Sequence, residues 1–337
     1  QYLLTEDVLN ALEAKLDSAY FADLIRTLFL ENPHKAMSVL VPSQTLGKEK
    51  QEKEAARVAA ECAVWTDADR VRIEAEGKTL AAWQQTPDTP EALNSIPVLK
   101  LSDIDPTPEK LPVTVSETNG ITVLTHDIQN GLTYLNLHFD VSDLSMKELP
   151  VASLLTKLLG KLPTVNYSSA QLQTLTKQKV GKLRFIPNVY SGKKASVHLC
   201  AEMVCLANQG ETAVALLCEI LTETLFEDKL LLKNLLNQIM MQLQMEFVGA
   251  GHQYAMTRAC SMLTGPGAAK EAMVGSSFIQ WVKAQCAADD GQLDEIAAQL
   301  KAVAGKAFCA KRLTVSLSSN AEKLIDPVLR AFPKGSA

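Results

Sequence analysis

The sequence predicts an α+β fold, a largely antiparallel sheet with helices packed on one face, preceded by a helical hairpin. Three observations carry that prediction. Short runs of two-residue alternation gather between 113 and 205. A block of long helical patterns follows, then one strand at 312–318 and one helix at 320–331. Residues 46–86 hold two charged helical patterns with only narrow apolar stripes. Strands first, then helices, then strand and helix is the order expected when helices segregate to one side of an antiparallel sheet.

Residues 5–30 read as helical, with Thr5 as N-cap and Leu9, Leu12 and Leu16 on one face. A second apolar run covers 21–30 and ends at Asn32-Pro33. Residues 36–41, AMSVLV, then read as a short strand stopped by Pro42. A lone strand cannot satisfy its ladder hydrogen bonds, so its sheet is expected elsewhere.

Helices are expected over 46–63 and 67–86, with Thr66 or Asp67 capping the second. Lys48, Lys50, Lys53, Arg57, Arg70, Arg72 and Lys78 alternate with Glu49, Glu52, Glu54, Glu61, Asp67, Asp69, Glu74 and Glu76. Mixing of both signs indicates a solvated, ion-paired surface and not a nucleic-acid arm. The proline-rich stretch 86–112 reads as a linker.

Beyond it, 113–117 and 120–126 alternate as strands around Thr118-Asn119-Gly120. In LTYLNLHFDV, 132–141, Leu135, Leu137 and Phe139 point one way and Tyr134, Asn136 and His138 the other. An amphipathic helix is expected over 147–160, and Ser168 or Ser169 caps another. Strands at 180–190 and 195–205 follow, then helices near 210–226, 229–248, 250–262, 269–284 and 290–305. No short-period repeat is visible.

At 337 residues the chain has room for about two domains. Its 47% hydrophobic and 21% charged residues are ordinary for a globular protein. A net charge of −5 provides no basic field, so nucleic acid is not an expected partner. No apolar run approaches membrane-span length, so no membrane partner is expected either. The seven cysteines form no C-x-x-C pair and read as free thiols in a reducing, cytoplasmic compartment. The chain opens on Gln1 within a helical pattern and shows no signal peptide, which reads as a piece of a longer protein.

Candidate chemistry is sparse. The histidines His34, His126, His138, His198 and His252 form neither H-E-x-x-H nor H-x-x-E-H. His198 and Cys200 share a strand face with His138 within reach if the strands are neighbours, but a metal site would need a third ligand. His252, Tyr254 and Arg258 lie on one helix behind Gly249 and Gly251, where a polar helix start is the simpler explanation. Leu263-Thr264-Gly265-Pro266-Gly267 reads as turn chemistry, since no Lys-Ser/Thr follows. Val274-Gly275-Ser276-Ser277 lacks the glycine spacing of a nucleophile elbow. No catalytic, cofactor-binding or metal residue is assigned.

Three segments together are specific: ENPHKAMSVLVPS at 31–43, WQQTPDTPEALNSIPVLKLSDI at 83–104, and the run NGLTYLNLHF through NYSSAQL at 130–172. Their order resembles the presequence-protease branch of the insulinase, or pitrilysin-like, zinc metallopeptidases. The resemblance extends to about residue 205 and weakens in the helical block. It implies four similar α+β domains in two halves joined by a helical hairpin and closing around a peptide chamber. On that pattern 1–46 end a preceding domain, 47–92 form the hairpin and 93–337 form a non-catalytic third domain. The sheet for 36–41 would then lie upstream.

The resemblance further implies a zinc on an inverted H-x-x-E-H helix of the first domain. The corresponding helix here is 149–160, where Ser153, Thr156 and Lys157 take the motif positions. None replaces a metal ligand or the glutamate base. The parent is therefore expected to be a zinc peptidase of short unfolded peptides and this chain inactive on its own, with peptides and the other domains as partners. The alternative is a structural or binding protein built from degenerate domains. A complete, self-standing peptide-binding module is a third possibility, which leaves 36–41 without neighbours unless the chain dimerises.

Overall fold

Alternation along LTYLNLHFD sets the centre of the fold. The computed structural model describes residues 5–107, 112–127, 130–192, 195–318 and 322–333. The chain divides into two units, Gln1–Asp105 and Pro106–Ala337.

The second unit is built on a sheet of six strands: β1 (Thr114–Thr118), β2 (Ile121–His126), β3 (Leu132–Asp140), β4 (Lys182–Tyr190), β5 (Ser196–Leu206) and β6 (Leu313–Ser318). Their spatial order is β1-β2-β6-β3-β5-β4, and all pairs are antiparallel except β2 with β6. The β1–β2 hairpin turns at Asn119 (φ 57°) and Gly120 (φ 82°). Two consecutive positive φ values are what a tight primed turn requires, and Asn-Gly supplies them at least strain.

On β3, Thr133, Leu135, Leu137 and Phe139 are buried while Tyr134, Asn136 and His138 are half-buried on the other face. The β3–β5 register sets Leu135 opposite Met203, Leu137 opposite Ala201 and Phe139 opposite Leu199. Helices cover this apolar face. They are α6 (Leu149–Leu158), α7 (Ser169–Lys179), α8 (Gly210–Thr222), α9 (Lys229–Gly249), α10 (Gly251–Ser261), α11 (Gly265–Val274), α12 (Ser276–Cys286), α13 (Asp290–Ala307) and α14 (Ile325–Ala331). α6 and α11 pack on β4, α8 on β5, and α13 on α6 and α9. Leu154, Leu155 and Leu158 of α6 are fully buried in that core, and each contributes about 2 kcal/mol of burial free energy. Ser168 caps α7 in a reciprocal capping box with Gln171.

The helix expected over 269–284 is two helices, broken at Gly275. Glu271 folds back over the break and accepts from the Ser276 hydroxyl (2.7 Å) and the Ser277 amide (2.8 Å). A Cβ on Gly275 would collide with Glu271 Oε2, so the site requires glycine. The segment read as a turn at 263–267 instead opens α11: Thr264 accepts from the Gly267 amide, and Pro266 sits in the first turn, where no amide is needed. The helix expected over 210–226 stops at Thr222, after which Thr224 bridges to Thr164. The helix expected over 320–331 is α14 preceded by a 3₁₀ turn, and 319–321 lie outside the described residues.

The first unit holds α1 (Glu6–Glu13), α2 (Tyr20–Ile25), α3 (Leu46–Ala63), α4 (Asp67–Gln85) and α5 (Pro90–Asn94). Thr66 and Asp69 form a capping box that starts α4. Thr5 makes no side-chain cap bond. The stretch read as a linker contains α5, capped by Thr89 with Pro90 in its first turn. None of these helices buries a residue. Residues 36–41, expected as a strand, form no strand here, and Met37 and Leu40 are 90% and 94% exposed. Among the described residues no strand pairs with them, and an unpaired segment has no ladder to define it.

Candidate functional site

The face of the sheet opposite the helices carries the polar residues, and strand register arranges them in rows. One row runs Thr314, His138, Cys200, Ile186; the next runs Ser316, Asn136, Glu202, Arg184. A third sets Asp140 beside His198 and Asn188. The i, i+2 spacing on β5 anticipated His198 beside Cys200, and the pairing of β3 with β5 brings His138 to them.

His138 Nδ1 lies 3.1 Å from Cys200 Sγ, and Asn188 Nδ2 donates to the same sulfur at 3.4 Å. The two imidazoles meet edge-on with centroids 6.4 Å apart, and Tyr190 packs on His198 at 5.3 Å. His198 Nε2 bonds to the Ser196 hydroxyl at 3.0 Å. Burial, and then the neighbouring His198, push the His138 pKa down, against a smaller opposing pull from Glu202. Burial pushes the Cys200 thiol up, in spite of hydrogen bonds from Asn188 and Tyr190. A buried protonated thiol beside a neutral imidazole is neither an activated nucleophile nor a thiolate ligand. Glu202 is held by Arg184 Nη2 at 2.7 Å and lies 3.4 Å from Lys182 Nζ, so its charge is neutralised locally. Burial pushes its carboxyl up, but the bonds to Arg184 and Lys182 outweigh that and the net shift is down.

On α6, the resemblance sets Ser153, Thr156 and Lys157 at the positions of the metal motif, and the structure shows what these side chains do. Ser153 is fully buried and donates to the Met273 carbonyl, while Thr156 donates to the Ser153 carbonyl. Both hydroxyls serve internal backbone acceptors. Lys157 has its pKa lowered by burial, with Glu246 drawing it back up. A serine, a threonine and a lysine so placed do not fit a zinc ion, which takes nitrogen, thiolate or carboxylate ligands. Among the described residues no group of three or more His, Cys, Asp or Glu is placed to hold a metal.

His252, Tyr254 and Arg258 share α10; the first two line one cavity, and Arg258 lies outside it. The Tyr254 ring lies against Phe247, with centroids 5.1 Å apart. Arg258 donates to the Ser277 hydroxyl at 2.9 Å and lies 3.6 Å from Glu271. His252 is exposed on the wall of a cavity of about 610 Å³ that Glu246 and Lys270 also line. Glu271 was not singled out by motif reading. Its only signal is a carboxylate one helical turn ahead of Gly-Ser-Ser. Burial pushes its carboxyl up, but the Ser276 and Ser277 donors and Arg258 outweigh this and the net shift is down.

The model of the family described as peptidase M16-C associated matches residues 40–284. That is most of the chain, and the chain belongs to this peptidase-associated family. Within it the relationship is to the presequence-protease branch, as the segments at 31–43, 83–104 and 130–172 implied. Presequence protease 1, chloroplastic/mitochondrial, of Arabidopsis thaliana is 25% identical over 325 residues, covering 94% of this chain and 30% of that protein. Protein HypA of Clostridium perfringens is 27% identical over 286 residues, covering 83% of this chain and 29% of that protein. A crystal structure of a peptidase M16 inactive domain from Pseudomonas fluorescens aligns with a TM-score of 0.45 at 21% identity, over 67% of this chain and 52% of that one. The chain spans about 30% of the length of the curated relatives it matches. The peptidases of this family are zinc metallopeptidases.

Proposed function

We propose that this chain is a non-catalytic portion of a zinc-dependent peptidase of short unfolded peptides, forming one wall of the peptide chamber. The observation that carries the reading is α6: its motif positions are Ser153, Thr156 and Lys157, with both hydroxyls spent on internal carbonyls. Residues 93–337 would form the non-catalytic domain, 47–92 the connector between halves, and 1–46 the end of a preceding domain. The unpaired, exposed 36–41 supports that last assignment. The partners would be the other domains of the same polypeptide and the peptide held between them. All seven cysteines are free thiols, which supports a reducing, cytoplasmic setting.

The test is turnover of a fluorogenic unfolded peptide by the 337-residue chain. No chelator-sensitive hydrolysis is expected. Hydrolysis that a chelator abolishes would contradict the proposal.

A further inference from the structure

A cavity of about 580 Å³ opens on the helical side of the second unit, between the turn before α6, α12 and α13. Its floor is apolar: Trp281, Met146, Val151 and Val303 line it. Trp281 is half-buried and stacks on the buried Phe278, with centroids 6.2 Å apart and planes 17° from parallel, so its position is fixed from beneath. The rim is polar and unevenly committed. Glu148 accepts from Lys306 and from the amide and hydroxyl of Ser145 (2.9 and 2.8 Å). Lys147 and Gln299 also line the rim, and among the described residues neither side chain has a hydrogen-bond or ion-pair partner. The cavity therefore offers an indole floor, one uncommitted ammonium and one uncommitted amide, while its carboxylate is already neutralised.

We propose that this cavity binds the C-terminal residue of a peptide ending in a large apolar or aromatic side chain, with the side chain on Trp281 and the free carboxylate at Lys147. An apolar floor with a few convergent polar groups is the usual composition of a small-ligand site. Trp281 supplies a rigid face for an aromatic or branched side chain. Lys147, an exposed ammonium on the rim, favours an anionic ligand over its neutral counterpart by the scale of one exposed ion pair, and an inorganic anion would leave the floor uncovered. Gln299 suits the amide that precedes a terminal residue, having both a donor and an acceptor. The cavity's volume of about 580 Å³ falls within the range of about 300–1,000 Å³ usual for small-ligand sites. The preference for a peptide over another apolar carboxylate rests on the proposed function; the site itself does not.

The experiment reads Trp281 fluorescence in the 337-residue chain carrying Trp65→Phe and Trp83→Phe, which leaves it the sole indole of three. Both substitutions lie outside the unit that holds the cavity. The probes are N-acetyl-Leu-Phe, its C-terminal carboxamide, and octanoate. The acid is expected to give a saturable change and to bind about threefold more tightly than the carboxamide, the scale of one exposed ion pair. Lys147→Ala is expected to erase that difference. Ala302→Phe, at an exposed position on the cavity wall, is expected to remove binding of all three probes without shifting the thermal melt. Absence of a saturable change, equal binding of acid and carboxamide, or octanoate binding as tightly as the peptide would overturn the proposal. The measurement involves no metal and no turnover, so its failure leaves the non-catalytic reading standing. Peptide hydrolysis by the chain would sink that reading and leave the binding result intact.

Discussion

The two units of this chain use similar apolar residues to opposite ends. In the second, Leu135, Leu137 and Phe139 of β3 and Leu154, Leu155 and Leu158 of α6 are all fully buried in one core. In the first, Leu28, Phe29, Leu80 and Trp83 stay more than half exposed, and helices α1–α5 bury nothing. Apolar periodicity states which face wants covering; it does not state what covers it. In the second unit the covering elements lie within the same unit. In the first no helix buries a residue, and the helices rest on caps, propensity and ion pairs such as Arg72 with Glu76 (3.0 Å) and Lys78 with Glu74 (2.6 Å).

The contrast is broken most directly by deleting side chains on both sides of it. Leu155→Ala is expected to cost about 3 kcal/mol in denaturant unfolding, by lost burial plus a residual cavity. Leu80→Ala is expected to change stability by less than about 0.5 kcal/mol, as at an ordinary surface position. Equal losses at the two positions would mean that Leu80 is covered in solution. Next in size, Gly275→Ala drives a methyl into the Glu271 carboxylate and is expected to cost about 2 kcal/mol. Adding Glu271→Ala should recover part of that loss, since it removes the clashing atoms. Thr66→Ala is expected to cost about 1 kcal/mol, confined to α4 and visible as faster amide exchange in its first turn.

The smallest expected effects are in pH dependence. Lys306, with the amide and hydroxyl of Ser145, holds the Glu148 carboxyl down at about 2. Its folded pKa lies below the ordinary carboxylate value of 4.5, so this stabilisation is complete above 4.5 and is lost as pH falls through 4.5 towards 2. Lys306→Met should flatten that limb of the acid-unfolding curve. His138 works in the same direction at higher pH: burial lowers its pKa, so its neutral form stabilises the fold above 6.5 and the contribution fades as pH falls below that. His138→Phe should remove that component, read from the slope of stability against pH between about 5 and 7.

Much of the second unit was legible in the sequence because its signals are local and its partners near. The alternation of β3 showed which residues face the core, and Thr118-Asn119 before Gly120 located the hairpin to within one residue, the turn itself being Asn119-Gly120. Ser168 and Ser169 bounded the start of α7 to within one residue, and the cap is Ser168. What stayed hidden depends on contacts distant in sequence or between side chain and backbone. The break at Gly275 follows from Glu271 folding back onto the next helix, which no periodicity records. The start of α11 was hidden because Gly-Pro-Gly serves a turn and a helix first turn equally well. Residues 36–41 carry strand composition, but a strand exists only with a partner, and the composition cannot name one. At the polar face, i, i+2 spacing placed His198 beside Cys200, while the register that adds His138 belongs to the sheet. That the cluster is chemically quiet follows from the burial of Cys200, which spacing does not show.

The central proposal is that α6 corresponds to a metal-binding helix of the family and keeps none of its chemistry. The most direct test is metal analysis of the purified 337-residue chain after incubation with excess zinc and exhaustive dialysis. The account predicts far less than one zinc per chain, unchanged by the triple substitution S153A, T156A and K157A. One zinc per chain, lost in that triple variant, would contradict it.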